Sequence, residues 1–410
     1  MDFIDYAKQR YEAAIAEINR LKNSEFPYDQ IREALVALED LFTRQVSSLK
    51  KLKLTSSPSI AKNACGQTLA CLFGYTPFLG FIVRATNVRN AFEVYSPALR
   101  LAKQLLGPDT KLLLSSEWDY SPFILMTPEL PNFVLIGVPA FESSNPLIMS
   151  LAGHELGHNA WSKEMLGRKH DPDIKKEVLT ALMGKHWAEF TSFQPTATHA
   201  NLTTDMFVQP AWLPAFAYAS RQLEEIFCDM MGLRIFGEAF LHAFAYLLSP
   251  GIPGERYPLY PSVVIRARHL EAASKLLGVD CPTGYQDLFS KEQDITSPAT
   301  RLLCSVADDA TAQLVDKVTK DAFRIADDKG LPTRDPAKVQ KIVESFAMVA
   351  PTDGRNTMTD IINAGWICKK RDDLWTNVPQ IRPETKSQVL ADLILKSLEI
   401  TEFYDRLGSP

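Results

Sequence analysis

Leu151-Ala152-Gly153-His154-Glu155-Leu156-Gly157-His158-Asn159-Ala160 is the most informative stretch of the chain. It holds two histidines four residues apart, with a glutamate directly after the first. Residues four apart on an α-helix project from the same face. On a helix, His154 and His158 can therefore each turn an imidazole toward a single ion, and Glu155 can reach a water beside it. His-Glu-x-x-His is a zinc-site pattern in that setting. Gly153 and Gly157 are also four apart. Each weakens a helix by about 1 kcal/mol relative to alanine, which close approach of another helix or of substrate would offset. Leu147, Ile148, Leu151 and Ala152 would anchor the helix in the core. Histidine is scarce, with 7 in 410 residues. Two of them in this pattern favour a metal site over a chance pair of core or surface histidines.

Immediately upstream, Asn145-Pro146 is a helix start: a capping side chain, then a proline at the first helical position. Before it come short apolar runs, Lys111-Leu112-Leu113-Leu114, Phe123-Ile124-Leu125-Met126 and Phe133-Val134-Leu135-Ile136-Gly137-Val138, punctuated by Pro122, Pro128, Pro131 and Pro139. These predict the strands of a small sheet. Ile4, Ala7, Tyr11, Ala14, Ile15 and Ile18, then Ile31, Leu35, Leu38, Leu41 and Phe42, recur at helical steps around a break at Phe26-Pro27-Tyr28, which predicts two helices over 1–55. Downstream, helices are expected over about 172–186, 213–246, 262–277 and 299–326, with a break at Gly251-Ile252-Pro253-Gly254 and a last long helix at Thr385–Leu398. The expected class is α+β: a predominantly helical, zincin-like core with a small sheet before the motif helix. The expected division is an N-terminal helical hairpin at 1–58, a core at 59–280 and a mostly helical C-terminal region at 281–410.

A catalytic zinc ion needs a third protein ligand and an open position for water. A third histidine six residues past His158 is absent, and His170 lies twelve beyond it. His186, His199, His242 and His269 are more distant sources. A glutamate on a later helix is the strongest one. Glu225 and Asp229 are four apart in Leu223-Glu224-Glu225-Ile226-Phe227-Cys228-Asp229-Met230-Met231. Most helical Glu/Asp pairs face solvent, but these apolar flanks predict a buried helix, and a buried carboxylate requires a partner. Glu225 could bind the ion. Asp229, one turn on, could accept the distal N–H of a ligand histidine and fix its tautomer. Glu224 competes as a ligand but, five residues from Asp229, is expected to face elsewhere.

His154, Glu155 and His158 followed by Glu225 and Asp229 resemble the glutamate-type zincins, the thermolysin-like metallopeptidases. The long gap between His158 and Glu225 is closer to that of the CAAX prenyl proteases and bacterial heat-shock membrane proteases. In those enzymes a His-Pro step is followed by an arginine. Here Tyr260-Pro261 and Arg266 stand in those places, so the match departs at Tyr260. The resemblance covers about residues 133–270. It implies a Zn2+ ion held by His154, His158 and Glu225, with Asp229 supporting a histidine. It also implies hydrolysis of a peptide or protein substrate by a water that Glu155 deprotonates. Tyr260 is the first choice of oxyanion donor, with Tyr257 and His269 as alternatives, and Arg266 could instead brace an acidic residue. The strand Phe133–Val138 is expected to line the cleft, and the loop Pro139–Asn145 to rim it. Two other outcomes remain open at this point. One is a zinc hydrolase of a non-peptide amide or ester. The other is a catalytically inactive scaffold that binds a partner protein through its N- or C-terminal helices.

The formal net charge of −5 gives no electrostatic footprint for nucleic acid. The run Gly66–Val83 is near the minimum length of a membrane span, but its glycines, proline and hydroxyls predict two buried strands or a helix–turn–strand, and no membrane span is expected. No basic start followed by an apolar run marks a signal peptide. The 6 dispersed cysteines form no Cys-x-x-Cys pair and predict a reduced, cytoplasmic chain.

Overall fold

The computed structural model describes residues 3–26, 28–55, 57–85, 92–119, 122–127, 129–142, 144–251 and 254–407. Pro27, Pro128, Ile252 and Pro253, which belong to the expected breaks, lie outside them. The chain forms two compact units, one of residues 1–103 with 107–144 and the other of 104–106 with 145–410. Both together are mostly helical with one small sheet.

The first unit begins with α1 (Phe3–Lys22), α2 (Asp29–Thr55) and α3 (Pro58–Arg84), followed by α4 (Tyr95–Leu106). The helical steps read from the sequence are the buried face: Ile4, Ala7, Tyr11 and Ile18 of α1 pack on Ile31, Leu35, Leu38 and Phe42 of α2. The Tyr11 hydroxyl donates to the Thr68 carbonyl at 2.6 Å and ties α1 to α3. Strands β1 (Lys111–Glu117), β2 (Phe123–Leu125) and β3 (Phe133–Pro139) coincide with the three apolar runs. Among the described residues they form one sheet of order β1-β3-β2. β3 runs parallel to β1, with Lys111 opposite Phe133, and antiparallel to β2, with Phe123 opposite Gly137.

The stretch Gly66–Val83 is not strands or a helix–turn–strand. It lies within α3, which is continuous through Pro77. Proline at 77 withholds the amide that would bond the Phe73 carbonyl. Packing of Ala61, Cys65, Leu72, Phe81 and Ile82 against α1 and α2 supplies the helical stability that local propensity does not. Among the described residues, Ile60–Arg84 is the one helix long and apolar enough to cross a membrane, and 17% of its most apolar window is buried.

In the second unit, Asn145 Oδ1 accepts from the Leu147 amide as expected, but Pro146–Leu151 winds as a 3-10 helix before α5 (Ala152–Lys163). There follow α6 (Leu166–Met183), α7 (Trp187–Phe193), α8 (Gln209–Phe236), α9 (Glu238–Leu248), α10 (Val263–Leu277) and α11 (Pro298–Asp328). The C-terminal part adds α12 (Pro336–Ala347), α13 (Met358–Lys369) and α14 (Lys386–Leu407). Helix α8 is buried on all sides from Glu225 to Leu233 and packs against α5, α6, α10 and α11. An all-round apolar helix is stable only in such surroundings.

Two Lys-His steps fasten α11. Lys169 Nζ and His170 Nε2 share Asp321, at 2.7 and 3.0 Å. Lys185 Nζ and His186 Nε2 share Asp309, at 2.9 and 2.8 Å. His170 is fully buried, lies nearly parallel to Trp161 with ring centres 5.9 Å apart, and its Nδ1 makes no hydrogen bond. Burial depresses its pKa despite Asp321, and Asp321 is itself held below the ordinary carboxylate range by Lys169 against the opposing effect of burial. Both depressed groups contribute stability above their unfolded pKa values and lose it as pH falls through the folded ones. Asp321→Ala, which strands a buried imidazole, is expected to lower the unfolding free energy by about 1–3 kcal/mol in urea titrations. Wild-type stability should fall as pH drops below about 6.5, the unfolded histidine value. His170→Phe should flatten the upper part of that fall.

Candidate metal centre

His154 and His158 occupy successive turns of α5, and Glu224, Glu225, Cys228 and Asp229 lie on the part of α8 that crosses it. The crossing is exceptionally close. A Cβ on Gly153 would stand 3.0 Å from the Gly232 Cα, and one on Gly157 would stand 2.8 Å from the Cys228 Cα. The two motif glycines thus permit approach by a second helix, one of the two uses anticipated for them from the sequence.

The two imidazoles present the same pattern to α8. His154 Nδ1 lies 2.9 Å from Asp229 Oδ1, and His158 Nδ1 lies 2.8 Å from Glu224 Oε1. On their other side, His154 Nε2 is 3.3 Å from Glu225 Oε2 and His158 Nε2 is 3.8 Å from Glu225 Oε1. A carboxylate at Nδ1 favours the proton there and leaves the Nε2 lone pair for a metal. Glu225 is the third donor facing both Nε2 atoms. Its Oε1 is buried and accepts no hydrogen bond, although Arg221 Nη2 lies 2.8 Å away.

Arg266 of α10 grips Asp229 with a two-pronged contact, Nε to Oδ2 and Nη2 to Oδ1 at 2.7 Å each. Arg221 bridges Glu224 Oε1 at 2.6 Å and Glu225 Oε1 at 2.8 Å. Its guanidinium sits 5.9 Å from the centre of the Tyr260 ring. Tyr260 is 39% exposed and touches the arrangement through Arg221. Tyr257 lies farther out, with ring centres 5.9 Å apart.

The electrostatics favour a cation. Burial lowers the His154 pKa, but hydrogen bonds to Asp229 and Glu225 outweigh it and carry the imidazole up to about 10. Burial likewise raises Glu225, yet the His154 contact holds it down to about 2. Burial is opposed at Asp229 by Arg266 and at Glu224 by His158, and both stay below the usual range. Burial raises Glu155, which sits within electrostatic reach of His154, His158, Glu225 and Arg266. Four carboxylates (Glu155, Glu224, Glu225, Asp229) thus gather around two guanidinium groups and the His154 imidazole, whose protonated form they favour. The field that retains a proton on His154 would equally attract a metal ion, for which that proton competes.

A second donor set is present. One ligand atom each from His154, His158 and Cys228 lies within 4.8 Å of the others, and Cys228 Sγ is 3.3 Å from His158 Nδ1. Burial pushes the Cys228 thiol well above its ordinary pKa, so its thiolate is disfavoured. The carboxylate of Glu225 needs no such deprotonation.

Four of the five remaining histidines have other partners. His170 and His186 bind Asp321 and Asp309, His199 packs edge-on against Trp187 with centroids 4.2 Å apart, and His242 lies 2.8 Å from Lys370 Nζ. The sequence reading that Glu224 faces elsewhere does not hold: it faces His158. It misses Cys228 as a neighbour of His158 and Arg221 as the partner of Glu224 and Glu225. Arg221 was detectable as the residue one turn before Glu225. No family model, curated protein or solved structure matches this chain.

Cys228→Ser should leave zinc affinity near that of wild type in a chelator competition, whereas Glu225→Ala should abolish stoichiometric binding. The reverse would assign the third ligand to the thiol. Helix propensity alone would have Gly157→Ala stabilise the protein by about 1 kcal/mol. The clash with the α8 backbone should instead make it destabilising by about 1–3 kcal/mol and weaken metal binding, read by thermal unfolding and metal titration.

Proposed function

We propose that residues 145–410 carry a zinc metallopeptidase site that hydrolyses a peptide or protein. The observation supporting this most strongly is the convergence of His154 Nε2 and His158 Nε2 on the Glu225 carboxylate, at 3.3 and 3.8 Å, on a helix that also carries the buried Glu155. His154, His158 and Glu225 would hold the ion. Zinc supplies Lewis-acid polarisation of the scissile carbonyl and lowers the pKa of water.

The chain's own residues do the rest. Asp229, held by Arg266, keeps the His154 imidazole in orientation. The Glu155 carboxylate accepts the proton of the attacking water and returns it to the leaving nitrogen. Its raised pKa, caused by burial, strengthens it as a base. Tyr260 is the proposed oxyanion donor, supported by its partly exposed position beside Arg221. This design is similar to that of the glutamate-type zincins.

The short contact between Cys228 and His158 favours a second reading, in which His154, His158 and Cys228 hold a metal that only shapes the fold. Glu155 argues for chemistry, because a structural site gains nothing from a buried carboxylate beside its ligands. Glu155→Gln should bind zinc like wild type while hydrolysis of denatured casein or of a quenched-peptide library falls by about 10²–10⁴-fold. Equal hydrolysis by the two proteins would remove Glu155 from the mechanism. A zinc-loaded wild type that cleaves neither probe would favour the structural site.

A further inference from the structure

We propose that Glu224 is the positioning carboxylate of His158, seated by Arg221, so that each ligand histidine has its own carboxylate on α8, backed by an arginine of α8 or α10. This rests on the reading that the Nε2 atoms of His154 and His158 face a metal ion.

The two arms match in chemistry. On one side Arg266 holds Asp229, and Asp229 accepts from His154 Nδ1 at 2.9 Å. On the other, Arg221 Nη1 lies 2.6 Å from Glu224 Oε1, and the same oxygen accepts from His158 Nδ1 at 2.8 Å. A surface pair between Arg221 and Glu224 at i,i+3 would need no histidine. Here the Glu224 side chain is only 15% exposed and its Oε1 is shared between guanidinium and imidazole. The two carboxylates next to each other in sequence bracket one ring: Glu224 approaches Nδ1, and Glu225 approaches Nε2. Cys228 Sγ also approaches Nδ1, but at 3.3 Å it is the more distant and weaker acceptor.

Arg221 adds a second constraint. Its two Nη atoms reach Glu224 and Glu225 separately, so one side chain sets the spacing between the ligand carboxylate and the positioning one. With Nδ1–H directed at Glu224, the His158 ring is fixed about its own axis and Nε2 keeps its lone pair for the ion. Such outer partners typically change metal affinity by about 10–100-fold when removed.

The test uses the whole chain with Zn2+ and Co2+ alone, so that no substrate is needed. Zinc affinity is measured by chelator competition for wild type, Glu224→Ala, Glu224→Gln, Arg221→Met and Glu225→Ala. Glu224→Ala is expected to lose about 10–100-fold in affinity and to alter the visible absorption of the Co2+ form. Glu224→Gln, which keeps an acceptor for Nδ1–H, should recover most of the loss, and Arg221→Met should show a smaller loss than Glu224→Ala. Wild-type affinity and an unchanged Co2+ spectrum in Glu224→Ala, with zinc lost in Glu225→Ala, would overturn the positioning role and leave the ligand set standing. A wild type that binds no zinc, or a Glu225→Ala variant that binds it fully, would overturn the ligand set and this proposal with it.

Discussion

The contact between the glycine edge of α5 and the backbone of α8 is the constraint on which the centre depends. At Gly157 and Gly153 there is no room for even a methyl group between the helices. An imidazole on α5 and a short acidic side chain on α8 can then meet directly at hydrogen-bond distance. With ordinary side chains between them, packed helices stand 8–10 Å apart axis to axis. Asp229, which has a single methylene, would be the first to lose its histidine. The helix-weakening cost of two glycines is therefore local, and the return is the geometry of the histidine pair.

That geometry concentrates charge in a buried place, which is costly unless every group is paired. The pairing is achieved by arginines brought in from different directions. Arg266 comes from α10 and forks onto Asp229, and Arg221 comes from one turn earlier on α8 itself. Arginine suits both positions because its planar fork meets a carboxylate in two places. Glu225 is treated differently. It has cations and imidazoles around it, and its Oε1, which makes no hydrogen bond, is matched by the Arg221 guanidinium 2.8 Å away.

Much of the fold was legible because it is written in local patterns. The three apolar runs became β1, β2 and β3, and the α1 and α2 repeats became the buried face of their helices. Glycines at 153 and 157 signalled close packing before any partner helix was known. What failed was the stretch containing Gly66, Gly74, Pro77 and Gly80. Those residues are breakers only where a helix must stand on its own propensity. In α3 the wall formed by Tyr11, Leu38 and Phe42 overrides them, and that wall is remote in sequence. Arg256 was equally hidden: its fork onto Asp308 at 2.6 Å joins segments 52 residues apart.

The centre shows a different limit of reading one helix at a time. Spacing assigns residues to faces, and four-residue steps correctly put Glu225 with Asp229 and His154 with His158. The same rule sent Glu224 away, since neighbours on a helix diverge by about 100°. The rule presumes that the partner presents a flat surface. An imidazole is not flat in this sense: it carries polar atoms on two of its edges and inserts between side chains. When α5 lies against α8 with only glycine between, His158 reaches into the groove between consecutive residues and meets one on each edge. Each carboxylate then faces a different ring nitrogen. That is fixed by the depth of the crossing and not by sequence period.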